Sequence, residues 1–509
     1  MEKTRLRRSR AVAARARPAP LEMSPREFRS AGHRLVEDIA KFLDSIAKRP
    51  VTRSGTARDI RARLGGGRFP KRGKPAGALL REAAELLFDH SLLNGHPRFW
   101  GYITSSAAPL GALADLLASA VNPNVGAWIL SPMASEIEAQ AVGWIGEMIG
   151  YPAGAGGLLV SGGNMANFIG FLDARKAQAG GENPRGGAGG RLRAYCSTET
   201  HTWIQKAADL FGLGADAIRY APVNADFQVK PQELDSLIEE DMRRGDRPFL
   251  VIGTAGTVST GAVDPLRELA EIARRRGLWF HVDGAYGGFA ACLRDAPADL
   301  AGIAAADSVA VDPHKWLYAP LEAGCVLVRD RRALKDAFSF HPPYYQFGTE
   351  QEDFVNYFEW GLQNSRGFRA LKVWLGLRQA GLEGYRRMIA RDMRLGREMF
   401  RALDTHPEIE ARTVALSIVT FRYVPPDLRG RGAEAREYLN RLNAQLLDRL
   451  QRGGEAFVSN AILQEDFVLR ACIVNFRTQL EDVRALPEIV VRLGRRLDSQ
   501  LRPREALAD

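Results

Sequence analysis

The sequence predicts an α/β protein: a large domain on a mainly parallel sheet with helices on both faces, followed by a smaller C-terminal α+β domain. Three observations carry that prediction. The 509 residues exceed the roughly 250–300 at which a single core stops growing, so more than one packed unit is expected. Hydrophobic residues make up 46% and charged residues 26%, enough apolar material for a large core and too much for wholesale disorder. From about residue 106 to 330, short apolar runs alternate with helical stretches, the pattern of strands joined by crossover helices.

Residues 1–20 read as a disordered basic tail. Residues 1–17 hold seven basic residues and one acidic, so +6 of the formal +10 sits there and the other 492 residues carry +4. An Arg- and Ala-rich stretch without an apolar core is no secretory signal; it suits a transit peptide, a nucleic-acid-binding arm or a frayed end, of which the frayed end is expected. Because the charge lies outside the folded region, no nucleic-acid partner is expected.

Residues 21–105 read as an N-terminal helical segment. Ser24 before Pro25 caps a helix at 24–47, whose apolar stripe is Phe28, Val36, Ile39, Phe42, Leu43 and Ile46. A Gly/Pro/Lys/Arg connector at 65–77 leads to a second helix at 79–88. Residues 106–385 form the large domain, with strands at 158–160, 194–196, 249–252, 278–282, 308–311 and 325–328, one Gly-rich loop at 180–190, and a long helix at 365–379. Residues 386–509 form the small domain, with strands at 415–423 and 467–475 and a helix at 434–451. The uncharged stretches 116–135 and 148–172 are broken by Pro, Asn and clustered Gly, so no membrane span is expected. Cys196, Cys292, Cys325 and Cys472 are widely separated, form no metal-ligand pair, and fit reduced thiols of a cytoplasmic protein.

In open parallel sheets the chemistry gathers beyond the carboxyl ends of the strands, and four ends stand out. Only eleven of the 70 basic residues are Lys, and one of them, Lys315, sits in Asp312-Pro-His-Lys-Trp316 directly after an apolar β-branched run. A sheltered lysine beside His314 has the surroundings that lower an amine's pKa, as a Schiff-base lysine requires, although most lysines simply lie on surface turns. In His281-Val-Asp-Gly-Ala-Tyr-Gly-Gly288 a strand ends on Asp283 and small residues follow; a carboxylate there suits a protonated pyridine nitrogen or a helix cap. Ser161-Gly-Gly-Asn-Met-Ala-Asn167 is a glycine turn opening a helix, a natural phosphate seat. His201 follows the strand ending near Cys196. A phosphate seat, a ring stacker, a ring-nitrogen carboxylate and an amine together match pyridoxal 5′-phosphate (PLP).

From about His96 through Arg477 the sequence resembles the group II PLP-dependent amino acid decarboxylases, which include the aromatic-L-amino-acid and glutamate decarboxylases. The segments carrying the resemblance are Asp312-Pro-His-Lys-Trp316 and, upstream, His281-Val-Asp283. The resemblance implies the PLP-dependent transferase fold of type I, aspartate aminotransferase-like, in a homodimer with active sites at the subunit interface. It also implies lyase activity in amino acid metabolism, releasing carbon dioxide and an amine. Lys315 resembles the Schiff-base lysine, Asp283 the pyridine-nitrogen partner, His201 the imidazole stacked on the ring, and Ala285 the small residue on the other face. Gly163 and Asn164 fall where the phosphate is held, with Asp312 and His314 nearby, and Thr257 matches another cofactor-contact segment. Tyr102 and Ser105 fall in the substrate pocket, as does His201. His341-Pro-Pro-Tyr344 resembles the loop whose tyrosine protonates the substrate carbon after carbon dioxide leaves, with Tyr345 the alternative donor.

Asn164-Met165 and Gly284 stand where many members of the family have Ser-Glu and Ala, and Asp312 and Val258 where the aromatic subset has Asn and Thr. Phe99, Trp100 and Tyr102 favour an aromatic substrate, and Ser365 lies where related enzymes separate phenolic from indolic side chains. Decarboxylation of glutamate, aspartate or diaminobutyrate, and aldehyde synthesis on the same fold, are the alternatives; the latter enzymes often carry Phe in place of Tyr344.

Overall fold

The computed structural model describes residues 20–53, 55–179, 190–340 and 354–502, and the chain divides into two compact units. In the first, which takes in residues up to 49 and 55–92, the helix Pro25–Ser45 begins with a capping box. The Ser24 hydroxyl accepts from the Glu27 N–H and the Glu27 carboxylate returns to the Ser24 N–H. Phe42 stacks on Phe88 of the helix Ala76–His90, ring centroids 4.4 Å apart. A short helix between them, Ala57–Leu64, has only Ile60 and Leu64 as large apolar residues, too few to make the stripe by which sequence reveals a helix.

The second unit, residues 50–54 and 93 onward, holds two sheets. The larger comprises β1 (Gly156–Val160), β2 (Leu192–Ser197), β3 (Ile218–Ala221), β4 (Arg247–Thr254), β5 (Trp279–Asp283), β6 (Ser308–Val311) and β7 (Gly324–Val328), in the order β1-β7-β6-β5-β4-β2-β3. Pairing is parallel from β6 through β5, β4 and β2 to β3, and antiparallel on both sides of β7. No crossover helix separates β6 from β7, so β7 returns in the opposite direction. Val251, Val282, Val309 and Val311 enter one core, while Leu250, Ile252 and Ala310 enter the other. Both faces are covered, which is why these strands read as unbroken apolar runs. β3, absent from the sequence reading, is an edge strand with Arg219 and Tyr220 partly in solvent, so its hydrophobic signal is diluted.

β1 is antiparallel to β7, as β6 is, and therefore runs with β6. The carboxyl ends of β1, β2, β4, β5 and β6 accordingly share one edge. β1 lies at the side of the sheet, and its free backbone groups are met by side chains: Leu159 N–H donates to Glu138 Oε1 at 2.9 Å and Arg366 donates to the Leu159 carbonyl at 2.6 Å. Arg366 also pairs with Glu138, both being buried.

The smaller sheet is antiparallel, β10-β11-β9-β8, from β8 (Ile409–Ala415), β9 (Ile418–Tyr423), β10 (Ser459–Leu463) and β11 (Asp466–Cys472). Helices Ala370–Asp404, Ala433–Gly453 and Leu480–Leu501 pack with it. The strand expected at 415–423 is β9 alone; Leu416, at φ 49°, turns the chain between β8 and β9. The helix expected at 365–379 runs from Ala370 to Asp404, interrupted at Gly381 (φ 62°, ψ 170°). Among the described residues no helix is long and apolar enough to cross a membrane. All four cysteines are buried free thiols.

Candidate active site

The shared carboxyl edge encloses a cavity of about 370 Å³. Lys315, Asp312 and His314 enter from the loop after β6, and Asp283 and Ala285 from the end of β5. His201 comes from the segment after β2, and Gly163 and Asn164 from the turn after β1. The four strand ends singled out in sequence thus meet in one place.

Lys315 Nζ lies 2.9 Å from Asp312 Oδ2, and Asp312 Oδ1 is buried without a hydrogen-bond partner. Asp283 is 6% exposed. The Trp203 indole N–H donates to its Oδ2 at 2.8 Å and the Ala285 N–H to its Oδ1 at 3.1 Å, so the carboxylate is fixed on both oxygens. His201 Nδ1 accepts from the Trp203 N–H at 3.2 Å, which leaves the ring proton on Nε2. Burial lowers the His201 pKa, with Asp283 opposing and Lys315 adding to the fall, so the ring is neutral at neutral pH. His314 Nδ1 donates to the Ala323 carbonyl at 2.6 Å, since a carbonyl can only accept. Burial lowers its pKa too, against the pull of Asp312 3.8 Å from Nε2.

The cradle fits a flat ring bearing a phosphate. A Cβ at position 163 would stand 2.7 Å from Asp312 Oδ2 and 3.1 Å from the Ala285 methyl, so only glycine lets an occupant reach this backbone. Gly162, at φ 121°, makes the turn that opens the helix Gly163–Ala179. Its free N–H groups and dipole favour an anion at that end. A carboxylate for a ring nitrogen and an amine complete the donor set that PLP needs.

Other expected residues sit differently. Thr257 is fully buried; its hydroxyl meets Thr260 Oγ1 at 3.0 Å and accepts from the Ala262 N–H, while its neighbours Gly256 and Val258 line the cavity. Ser105 donates to the His314 carbonyl at 2.7 Å and so supports the lysine's loop from behind. Tyr102 is exposed, at φ 52°, and its carbonyl accepts from Arg470. Trp100 and Phe99 are buried, and Ser365 is exposed outside the cavity lining. Tyr344 and Tyr345 lie outside the described residues.

The sequence reading missed Trp203, which holds Asp283, and the support beneath it. Trp279 Nε1 donates to Ser308 Oγ at 2.8 Å, Ser308 meets His281 Nδ1 at 2.8 Å, and His281 Nε2 meets Asn167 Oδ1 at 2.7 Å. These residues come from four segments, and one sequence carries no signal that they meet.

The family model for the pyridoxal-dependent decarboxylase conserved domain matches residues 62–424. The aromatic-L-amino-acid decarboxylase of Bacillus atrophaeus is 33% identical over 465 residues, covering 91% of this chain and 94% of that protein. A phenylacetaldehyde synthase of Petunia hybrida is 30% identical over 466 residues, covering 89% and 91%. The crystal structure of Oryza sativa TDC with PLP and tryptamine superposes with a TM-score of 0.87 at 26% identity, covering 94% of this chain and all of that one. Agreement of the family model, full-length relatives and fold with the cavity's donor set leads to one assignment: the chain belongs to the group II pyridoxal-dependent decarboxylases, amino acid decarboxylases of fold type I that use PLP.

Proposed function

We propose that this enzyme decarboxylates an aromatic L-amino acid to its amine and carbon dioxide. The observation carrying the substrate class is the cavity wall: beyond the polar groups around Lys315 it presents Ile103, Val258 and Leu321, and among the described lining residues there is no arginine. A substrate with a side-chain carboxylate would bury that charge without a partner, whereas an apolar ring gains from these walls. The Arg470 guanidinium, which donates from its two Nη atoms to the Val258 and Tyr102 carbonyls, is not among the lining residues.

When bound, PLP supplies an electron-poor pyridinium ring that accepts the electron pair of the broken bond to the carboxylate. Asp283, held by Trp203 and Ala285, is the side chain that would pair with the ring nitrogen and favour its protonated form. Gly163, Asn164 and the helix N-terminus hold the phosphate, with Asp312 and His314 beside them. Thr257 braces the turn that presents Gly256 and Val258. Lys315 Nζ, 2.9 Å from Asp312 Oδ2, is the amine that would hold the cofactor covalently when it is bound. His201 and Ala285 would bound the two faces of the ring; Tyr102, beside the lining residue Ile103, belongs to the substrate side, whereas Ser105 acts from behind by holding the His314 carbonyl. Tyr344 donates a proton to the substrate's α-carbon, with Tyr345 the neighbouring candidate.

The working form is a cytoplasmic homodimer. Leu113, Leu116, Leu117 and Val121 form an exposed stripe at i, i+3, i+4 and i+8 on the helix Pro109–Val121, with exposed Ile129 and Met133 close in sequence. Leu321 lines the cavity yet is 61% exposed, so the single chain leaves the site open on one side.

The test is a panel of L-amino acids scored together for carbon dioxide, ammonia and hydrogen peroxide. Tyrosine, phenylalanine, tryptophan or dihydroxyphenylalanine should give carbon dioxide and amine in equal amounts without peroxide. Turnover of glutamate or aspartate alone would overturn the substrate class, and peroxide in step with product would favour the aldehyde-forming reaction.

A further inference from the structure

The three residues that follow Lys315 are gripped by one face of the helix Ala370–Asp404. Asp392, 2% exposed, accepts on Oδ2 from the Trp316 indole N–H at 3.1 Å and from the Tyr318 hydroxyl at 2.7 Å. Seven residues earlier, two turns along the same face, the Tyr385 hydroxyl donates to the Leu317 carbonyl at 3.2 Å. Side chain, carbonyl and side chain of consecutive residues are thus held from a single helix. The break at Gly381 places Tyr385 and Asp392 together on the later segment of that helix.

The lysine's loop needs such a hold. Tyr318 sits at φ 53°, a left-handed conformation that a bulky residue keeps only when its surroundings impose it. On its other side the loop is tied by Ser105 to the His314 carbonyl and by the Ala108 N–H to the Tyr318 carbonyl at 2.8 Å. The Trp316 ring stacks on Tyr286, 4.8 Å between centroids, and Tyr286 lines the cavity. Lys315 Nζ itself has one side-chain partner close by, Asp312, so its direction is inherited from the backbone on either side.

We propose that Asp392 and Tyr385 are positioning residues that set where Lys315 Nζ stands in the cavity. This rests on Lys315 being the amine that carries the cofactor. Neither residue touches the cavity; both act through Trp316, Leu317 and Tyr318.

The experiment compares holoenzyme carrying Asp392→Ala, Asp392→Asn or Tyr385→Phe with wild type. Three quantities are read: the visible absorption band of lysine-bound PLP, the pH midpoint of that band, and the rate at which cofactor is released on dilution. Losing the hydrogen bonds from Trp316 and Tyr318 should make Asp392→Ala release cofactor about tenfold or more faster and displace the pH midpoint. Asp392→Asn keeps an acceptor in place and should return the release rate to within about threefold of wild type. Tyr385→Phe, which keeps the ring packing, should release cofactor about fivefold faster and decides the matter if Asp392→Ala does not fold. A wild-type band, midpoint and release rate in Asp392→Ala, or in Tyr385→Phe where only that variant folds, would overturn the clamp. A visible band that survives in Lys315→Ala would instead overturn the reading beneath it.

Discussion

His281 shows how one buried residue links the site to the stability of the whole enzyme. It lies two residues before Asp283 on β5, fully buried, between Ser308 and Asn167. Burial pushes its pKa down to about 4, while Asp283 pulls weakly the other way. An unfolded chain would protonate this imidazole near 6.5, so the folded state binds fewer protons over the interval between. The stability it contributes is complete above about pH 6.5 and is lost as pH falls toward 4, about 3 kcal/mol in all. Thermal unfolding of wild type and His281→Asn across pH 4–7 should therefore diverge, with the wild type falling more steeply on acidification. Parallel slopes would contradict this assignment. At this scale the sequence was informative about which strand ends bring their residues into the cavity, as for Lys315 and Asp283. It was silent on Trp203, Asn167 and Asp392, whose roles arise from partners between 74 and 114 residues away.

The glycine turn between β1 and the helix Gly163–Ala179 depends on an edge strand that only β7 supports from within the sheet. Arg366 and Glu138 replace the missing neighbour by bonding both backbone groups of Leu159, and Arg366 lies over the Tyr357 ring at 4.6 Å. Arg366→Met removes one partner and leaves the Glu138 carboxylate buried and unpaired, at a cost of about 3–5 kcal/mol. A clear fall in melting temperature, accompanied by weaker cofactor binding because the turn loses its anchor, is the expected result. A variant as stable as wild type would show that the pair holds nothing. Most elements could be read from periodicity: the buried strands by apolar runs, the helix Pro25–Ser45 by its cap and stripe. Those that could not include the short helix Ala57–Leu64, β3 and β10, whose exposed positions dilute the pattern, and β8, which a two-residue turn joins to β9.

For the molecule as a whole, the expected mainly parallel sheet is present, the smaller α+β part is built on an antiparallel sheet, and the cavity lies where parallel sheets place their ligands. The exposed stripe on the helix Pro109–Val121 belongs to this scale. Leu116→Arg together with Leu117→Glu puts two charges into that stripe, so light scattering should find the pair monomeric and with much reduced activity. A dimer that survives with full activity would place the interface elsewhere. Of the formal net charge of +10, +6 sits in residues 1–17, which precede the described residues.

The proposed chemistry turns on a single amine. Purified enzyme should show a visible absorption band from lysine-bound PLP and release carbon dioxide from an aromatic L-amino acid. Lys315→Ala, with the fold intact by circular dichroism, should lose both. A Lys315→Ala enzyme that keeps the band and the carbon dioxide would contradict the assignment of Lys315 and the mechanism built on it.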